Sequence, residues 1–90
     1  MIGDDYMLYR FNIDAFKDFV YEFTCVAENT YEAKVFYRTI KYICKQHDDY
    51  VLPYCYFKNE MNDIVEQLAE IFDMNEDDIR LYVTEMEDAI

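Results

Sequence analysis

The sequence predicts a mainly α domain, a compact bundle of about four helices with room for two short strands at 5–11 and 50–57. Three observations predict it. Gly3 and Pro53 are the only Gly and Pro among 90 residues, so the chain is almost without strong breakers. Apolar residues recur every three or four positions over much of its length, the spacing of one helix face. Asn12, Asn29 and Asn75 each precede such a run, where a side-chain oxygen can accept from the first free N–H groups of a helix. Apolar residues make up 53% and aromatic residues 19% of the chain, enough to drive folding against a net charge of −12. Residues 1–90 are one acidic globular domain, and a chain of this length buries about 60–65% of the surface it exposes when unfolded.

The elements follow in order. Asp5 to Phe11 is aromatic and reads as a short strand or extended lead-in. Asn12 caps a helix to about Ala27, with Ile13, Phe16, Phe19, Val20, Phe23 and Val26 at helical spacing. Asn29 with Glu32 opens a second segment to about Gln46. Its VFYRTIKYIC stretch has strand propensity, but Lys34, Arg38, Lys41 and Lys45 stand four, three and four apart, which gathers them on one helical face and scatters them on a strand. Helix is the reading. Tyr50 to Phe57 is extended, with Pro53 confining it to an edge or a loop, and it can pair with 5–11. A third helix, Glu60 to Phe72, turns Met61, Ile64, Val65, Leu68, Ile71 and Phe72 to one side. Asn75 caps a fourth, with Ile79, Tyr82, Val83 and Met86 facing inward and Glu76, Asp77 and Asp78 in the first turn, where the helix dipole favours anions.

Charge is divided unevenly. Residues 1–47 hold seven acids and six bases, whereas residues 48–90 hold thirteen acids against Lys58 and Arg80 alone. In the third helix Glu60, Asp63, Glu66, Glu70 and Asp73 form a stripe opposite the apolar face, one charge every 4.5 to 6 Å at about 1.5 Å per residue. A DNA strand carries a phosphate every 3.4 Å or so, a comparable density. The basic residues 34, 38, 41 and 45 lie among Tyr31, Tyr37 and Tyr42, which suit base stacking; the role expected of these bases is intramolecular or intersubunit pairing with the acidic helices, each exposed pair worth about 0 to 1 kcal/mol.

Catalytic signatures are lacking. His47 stands alone, with no Gly-rich phosphate loop and no nucleophile elbow, so no enzymatic activity is expected. An EF-hand start on Asp73, Asn75 and Asp77 fails at its sixth position, Asp78, and its twelfth, Thr84. Cys25, Cys44 and Cys55 are read as reduced, buried small hydrophobes; a zinc site with His47 would lack the CxxC knuckle. No metal and no cofactor is expected. The first ten residues hold Asp4 and Asp5 without an apolar run of signal-peptide length, and no run of 18 apolar residues occurs, so the expectation is a cytoplasmic protein without membrane contact. Tyr50, Tyr54 and Tyr56 around Pro53 are the candidate for an exposed contact patch or a homodimer seam.

The segment AEIFDMNEDDIRLYV, residues 69–83, resembles the helix-turn-helix family. Ala69 is the small residue, Asp73 to Asn75 the turn, and Ile79 and Val83 the apolar positions that follow. The family usually has Gly where Asp73 stands. The resemblance implies two helices crossing at a short turn, but six acids on the would-be recognition helix against Arg80 repel phosphate, so direct nucleic-acid binding is not expected.

In size and composition the whole chain resembles the small acidic host-takeover and anti-defence proteins of bacteriophages, of which several are DNA mimics. The resemblance transfers no residue roles. It implies a non-catalytic inhibitor of anti-restriction or anti-CRISPR type, acting in the host cytoplasm on a DNA-binding or DNA-processing protein of the host. The contact residues would be Glu60, Asp63, Glu66, Glu70, Asp73, Glu76, Asp77 and Asp78, with Tyr54 and Tyr56. The alternative is a transcription modulator or adaptor, akin to phage anti-sigma proteins, that grips a polymerase subunit through the apolar Tyr50 to Phe57 patch.

Overall fold

A computed structural model of the chain describes residues 7–45 and 54–86. The described residues form four helices and a three-stranded antiparallel sheet in the order β1 (Leu8–Phe11), α1 (Ile13–Thr24), α2 (Tyr31–Ile43), β2 (Cys55–Phe57), α3 (Lys58–Phe72), α4 (Glu76–Arg80) and β3 (Val83–Met86). The mainly α reading with two short pairing strands therefore holds, and a third strand joins them. The expectations about Pro53, Tyr50 and His47 lie outside the described residues.

β1 is the central strand of the order β2-β1-β3. It pairs Tyr9 with Tyr56 on one side and with Glu85 on the other. The ladder continues past the strand ends through Phe11 N–H to the Tyr54 carbonyl (3.0 Å) and Asn12 N–H to the Tyr82 carbonyl (2.9 Å). The Tyr54 carbonyl is presented from a left-handed backbone, φ 58°, a conformation that costs a residue with a Cβ.

Asn12 caps α1 as expected, its Oδ1 accepting from Ala15 N–H at 3.2 Å. The helix stops three residues earlier than the periodicity implies because Cys25 turns left-handed, and Val26 N–H and Cys25 N–H bond back to the carbonyls of Tyr21 and Glu22, the Schellman closure. The cap of α2 is Thr30 instead of Asn29: Thr30 Oγ1 accepts from Ala33 N–H at 3.2 Å and donates to the Ala27 carbonyl at 2.7 Å. The helical choice for this stretch is correct. Tertiary packing of Phe36 and Ile40 outweighs its strand propensity.

α3 starts two residues earlier than expected, directly behind β2. The fourth helix is the largest departure. It ends at Arg80, and Val83 and Met86, expected on its inner face, belong to β3. The tyrosine and β-branched run Tyr82-Val83-Thr84 suits a strand, and the free side of β1 supplies a partner. The segment resembling a helix-turn-helix thus forms a helix, a turn and one short helix of five residues.

Phe16 ties the layers together. Its ring lies 5.3 Å from Phe11, 6.3 Å from Phe72 and 5.8 Å from Tyr82, joining β1, α1, α3 and the turn before β3. Phe36 of α2 reaches Phe72 at 5.5 Å. Ile40, Val65, Leu68 and Ile79 complete a core without solvent exposure at those positions. Ile71, placed by periodicity on the inner face of α3, is half exposed.

Candidate functional site

The rigid part of the acidic face is α3. Met61, Ile64, Val65, Leu68 and Phe72 are buried, so helical geometry turns the 60, 63, 66, 70 and 73 positions outward. Asp63, Glu66, Glu70 and Asp73 are exposed, and Glu60, at the β2 end, is half buried. At Asp73 the chain turns left-handed, φ 55°, and Met74 N–H returns to the Ala69 carbonyl at 3.0 Å. That reversal places α4 directly after the acidic row. Asn75 Oδ1 accepts from Asp77 N–H at 2.9 Å and Ile79 is fully buried, which leaves Asp77 and Asp78 exposed at the start of α4.

Cations on the same molecule do little to cancel this face. Arg80 engages Glu76, with Nη2 3.5 Å from Oε1, and its Nη1 donates to Asn62 Oδ1 at 3.1 Å. Among the described residues no Lys or Arg nitrogen lies within 4.0 Å of Asp63, Glu66, Glu70, Asp73, Asp77 or Asp78. Within one molecule, among the described residues, the basic residues of α2 do not pair with the acidic helices as expected. Lys34, Arg38, Lys41 and Lys45 are exposed and have no carboxylate within 4.0 Å among the described residues. The reason is placement. Tyr37 faces α1, where its hydroxyl meets Asp14 at 3.4 Å and Lys17 lies over its ring at 5.2 Å, whereas Phe36 faces α3. Lys34, Arg38 and Lys41 fall on the α1 shoulder of α2, turned away from α3, whereas Lys45, beyond the end of the helix, lines a cleft of about 170 Å³ with Glu60 and Asp63 of α3.

The tyrosine patch is corrected. Tyr56 is a core residue, 1% exposed, whose hydroxyl donates to the Cys44 carbonyl at the end of α2. It packs opposite Tyr9 on the buried side of the sheet and presents no surface to a partner. Tyr54 is half buried against the core.

The cysteines divide. Cys44 and Cys55 are buried as expected, and Cys25 is exposed. Burial pushes the Cys44 thiol up to about 12, and it raises Cys55 too, against an opposing pull from Arg10. Among the described residues no group of three or more His, Cys, Asp or Glu side chains is placed to hold a metal ion, and no helix is long and apolar enough to cross a membrane.

Nothing in the sequence pattern points to the cleft between α3 and β3, about 260 Å³, lined by Tyr9, Met61, Asn62, Arg80 and Val83 among others. Its walls come from residues more than seventy positions apart, joined only by the unforeseen β3. Comparison with family models, with curated proteins and with solved structures finds no match to this chain.

Proposed function

We propose that the chain is a non-catalytic inhibitor that binds a nucleic-acid-binding protein of a host through the acidic face of α3 and α4. What carries the reading is the row of exposed carboxylates from Asp63 to Asp78, six of them without a cation in reach among the described residues. Spacings of three, four and three residues put charges about 4.5 to 6 Å apart on a straight helix. A groove built to hold phosphates meets a comparable linear density there. The fixed field also accelerates encounter with a basic partner.

The partner class is a DNA-binding or DNA-processing protein of the restriction, repair, nucleoid or CRISPR kind. Capture of such a protein from host lysate at low and at high salt tests this directly. Retention falls steeply as salt rises, and charge reversal at Glu66, Glu70 and Asp77 abolishes it while the circular dichroism spectrum stays unchanged. Capture that is insensitive to salt would refute the reading. The adaptor alternative receives less support, because Tyr56 is inaccessible and its removal would act through folding.

A further inference from the structure

The solvent face of α2 carries two adjacent stripes of a different character from the rest of the molecule. At about 100° per residue, Lys34, Arg38 and Lys41 fall within an arc of about 60°, and Tyr31, Val35 and Tyr42 occupy the next 40° or so. Tyr31 and Tyr42 are each 77% exposed. These three cations have no carboxylate within 4.0 Å among the described residues; Lys41 lies over the Tyr37 ring at 4.7 Å, as does Lys17 of α1 at 5.2 Å, itself paired with Asp18 at 3.7 Å.

We infer that this face binds single-stranded nucleic acid, its cations holding the phosphates and Tyr31 and Tyr42 stacking on bases. Charge complementarity names a polyanion. From Lys34 to Lys41 the stripe runs about 10 Å, the length of about three phosphates at roughly 3.4 Å spacing. Two of the three cations are lysines, a residue depleted from protein interfaces but suited to phosphates as a mobile point charge. A flat, open aromatic beside a cation row is the stacking platform of single-strand binders. A duplex keeps its bases inside and offers Tyr nothing to stack on. The acids of α3 point away from this shoulder, and a Debye length of about 10 Å at 0.1 M salt weakens their field there. The inference is independent of the acidic-face reading and uses the opposite side of α2.

Fluorescence anisotropy with labelled oligothymidine and oligouridine of about ten nucleotides, and with a blunt duplex of equal length, tests it at about 0.1 M salt. Both single strands bind, and the duplex binds at least tenfold more weakly. A fourfold rise in salt lowers single-strand affinity about 20-fold, as three phosphate contacts require. Tyr42→Ala costs about tenfold, and Lys34→Glu with Lys41→Glu abolishes binding, with folding checked by circular dichroism. Glu66→Gln with Glu70→Gln leaves it intact, which separates this result from the fate of protein capture. Absence of single-strand binding overturns the inference, as does binding indifferent to the α2 variants. So does the finding that the Lys34 and Lys41 variants alter only self-association in sedimentation, which would seat a second copy's acidic face on α2.

Discussion

Among the described residues Cys25, Tyr54 and Asp73 carry a conformation usually left to glycine, and two of them end helices. Cys25 and Asp73 close α1 and α3 at φ 59° and 55°, each completing a backbone closure from two residues beyond the helix. A Cβ in this region costs about 1 kcal/mol or more, less for Asp, whose short polar side chain tolerates it. Cys25→Gly and Asp73→Gly are therefore each expected to raise unfolding free energy by about 0.5 kcal/mol, after the larger unfolded-state entropy of Gly is subtracted. Urea titration measures it; a loss of stability at either site would show the left-handed geometry wrong. The sequence held a clue at Asp73, since the helix-turn-helix pattern places Gly there, and Asn75 was legible as a cap from the same stretch. Cys25 carries no such clue, so the apolar periodicity runs on to Ala27 past the true end of α1 at Thr24.

Ionisation at the residue scale sets an alkaline limit. Cys44 is neutral in its buried site up to about 12 but ionises near 9.0 once exposed, and burial also raises Cys55, Tyr21 and Tyr37. The unfolded chain thus sheds protons that the folded chain keeps. The contribution of Cys44 is complete below about pH 9 and is lost as pH climbs toward 12, at about 1.4 kcal/mol per pH unit. Cys44→Ala is expected to flatten the stability profile between pH 9 and 11, read by denaturant melts across that range. A slope equal to that of the parent chain would remove the thiol from the account.

At the scale of elements, the periodicity of three and four residues located α1, α2 and α3 and chose helix for residues 31–43 against their propensity. It failed at the fourth helix because the same apolar residues serve another end. Ile79 packs under a single turn of helix, and Val83 then pairs with Phe11 in a strand. No local signal distinguishes Val83 as the fifteenth residue of a helix-turn-helix from Val83 as the first of a strand; the free edge of β1 decides. A helix of five residues has no stability of its own, so α4 and β3 rest on Ile79 and on the pairing with β1. Ile79→Ala is expected to cost about 2–5 kcal/mol, and hydrogen exchange is expected to show the amides of 76–86 opening before those of α3. Uniform exchange across α3 and β3 would mean that the two unfold as one unit.

Across the whole molecule the division of charge that the sequence displays is largely preserved in space: acids on α3 and α4, Lys34, Arg38 and Lys41 on the α1 shoulder of α2, with Lys45 at the margin beside Glu60 and Asp63. The sequence could not show that the two sets stay apart, because that depends on which flank of α2 meets α3, and Phe36 and Tyr37 settle this through contacts more than twenty residues away. Keeping them apart has an energetic cost. On α3 the neighbours Asp63 and Glu66, Glu66 and Glu70, and Glu70 and Asp73 are like charges at helical contact spacing, each pair destabilising by about 0.2–0.5 kcal/mol. Glu66→Gln with Glu70→Gln removes all three repulsions, so the double variant is expected to gain about 1 kcal/mol and to melt about 4–8 °C higher. Its melting temperature is also expected to respond less to added salt than that of the parent chain, since less repulsion remains to be screened. A merely solvated face predicts this stabilisation and nothing more. A face that binds a basic groove predicts that the more stable variant is the poorer inhibitor, so melting and target capture measured on the same double variant separate the two.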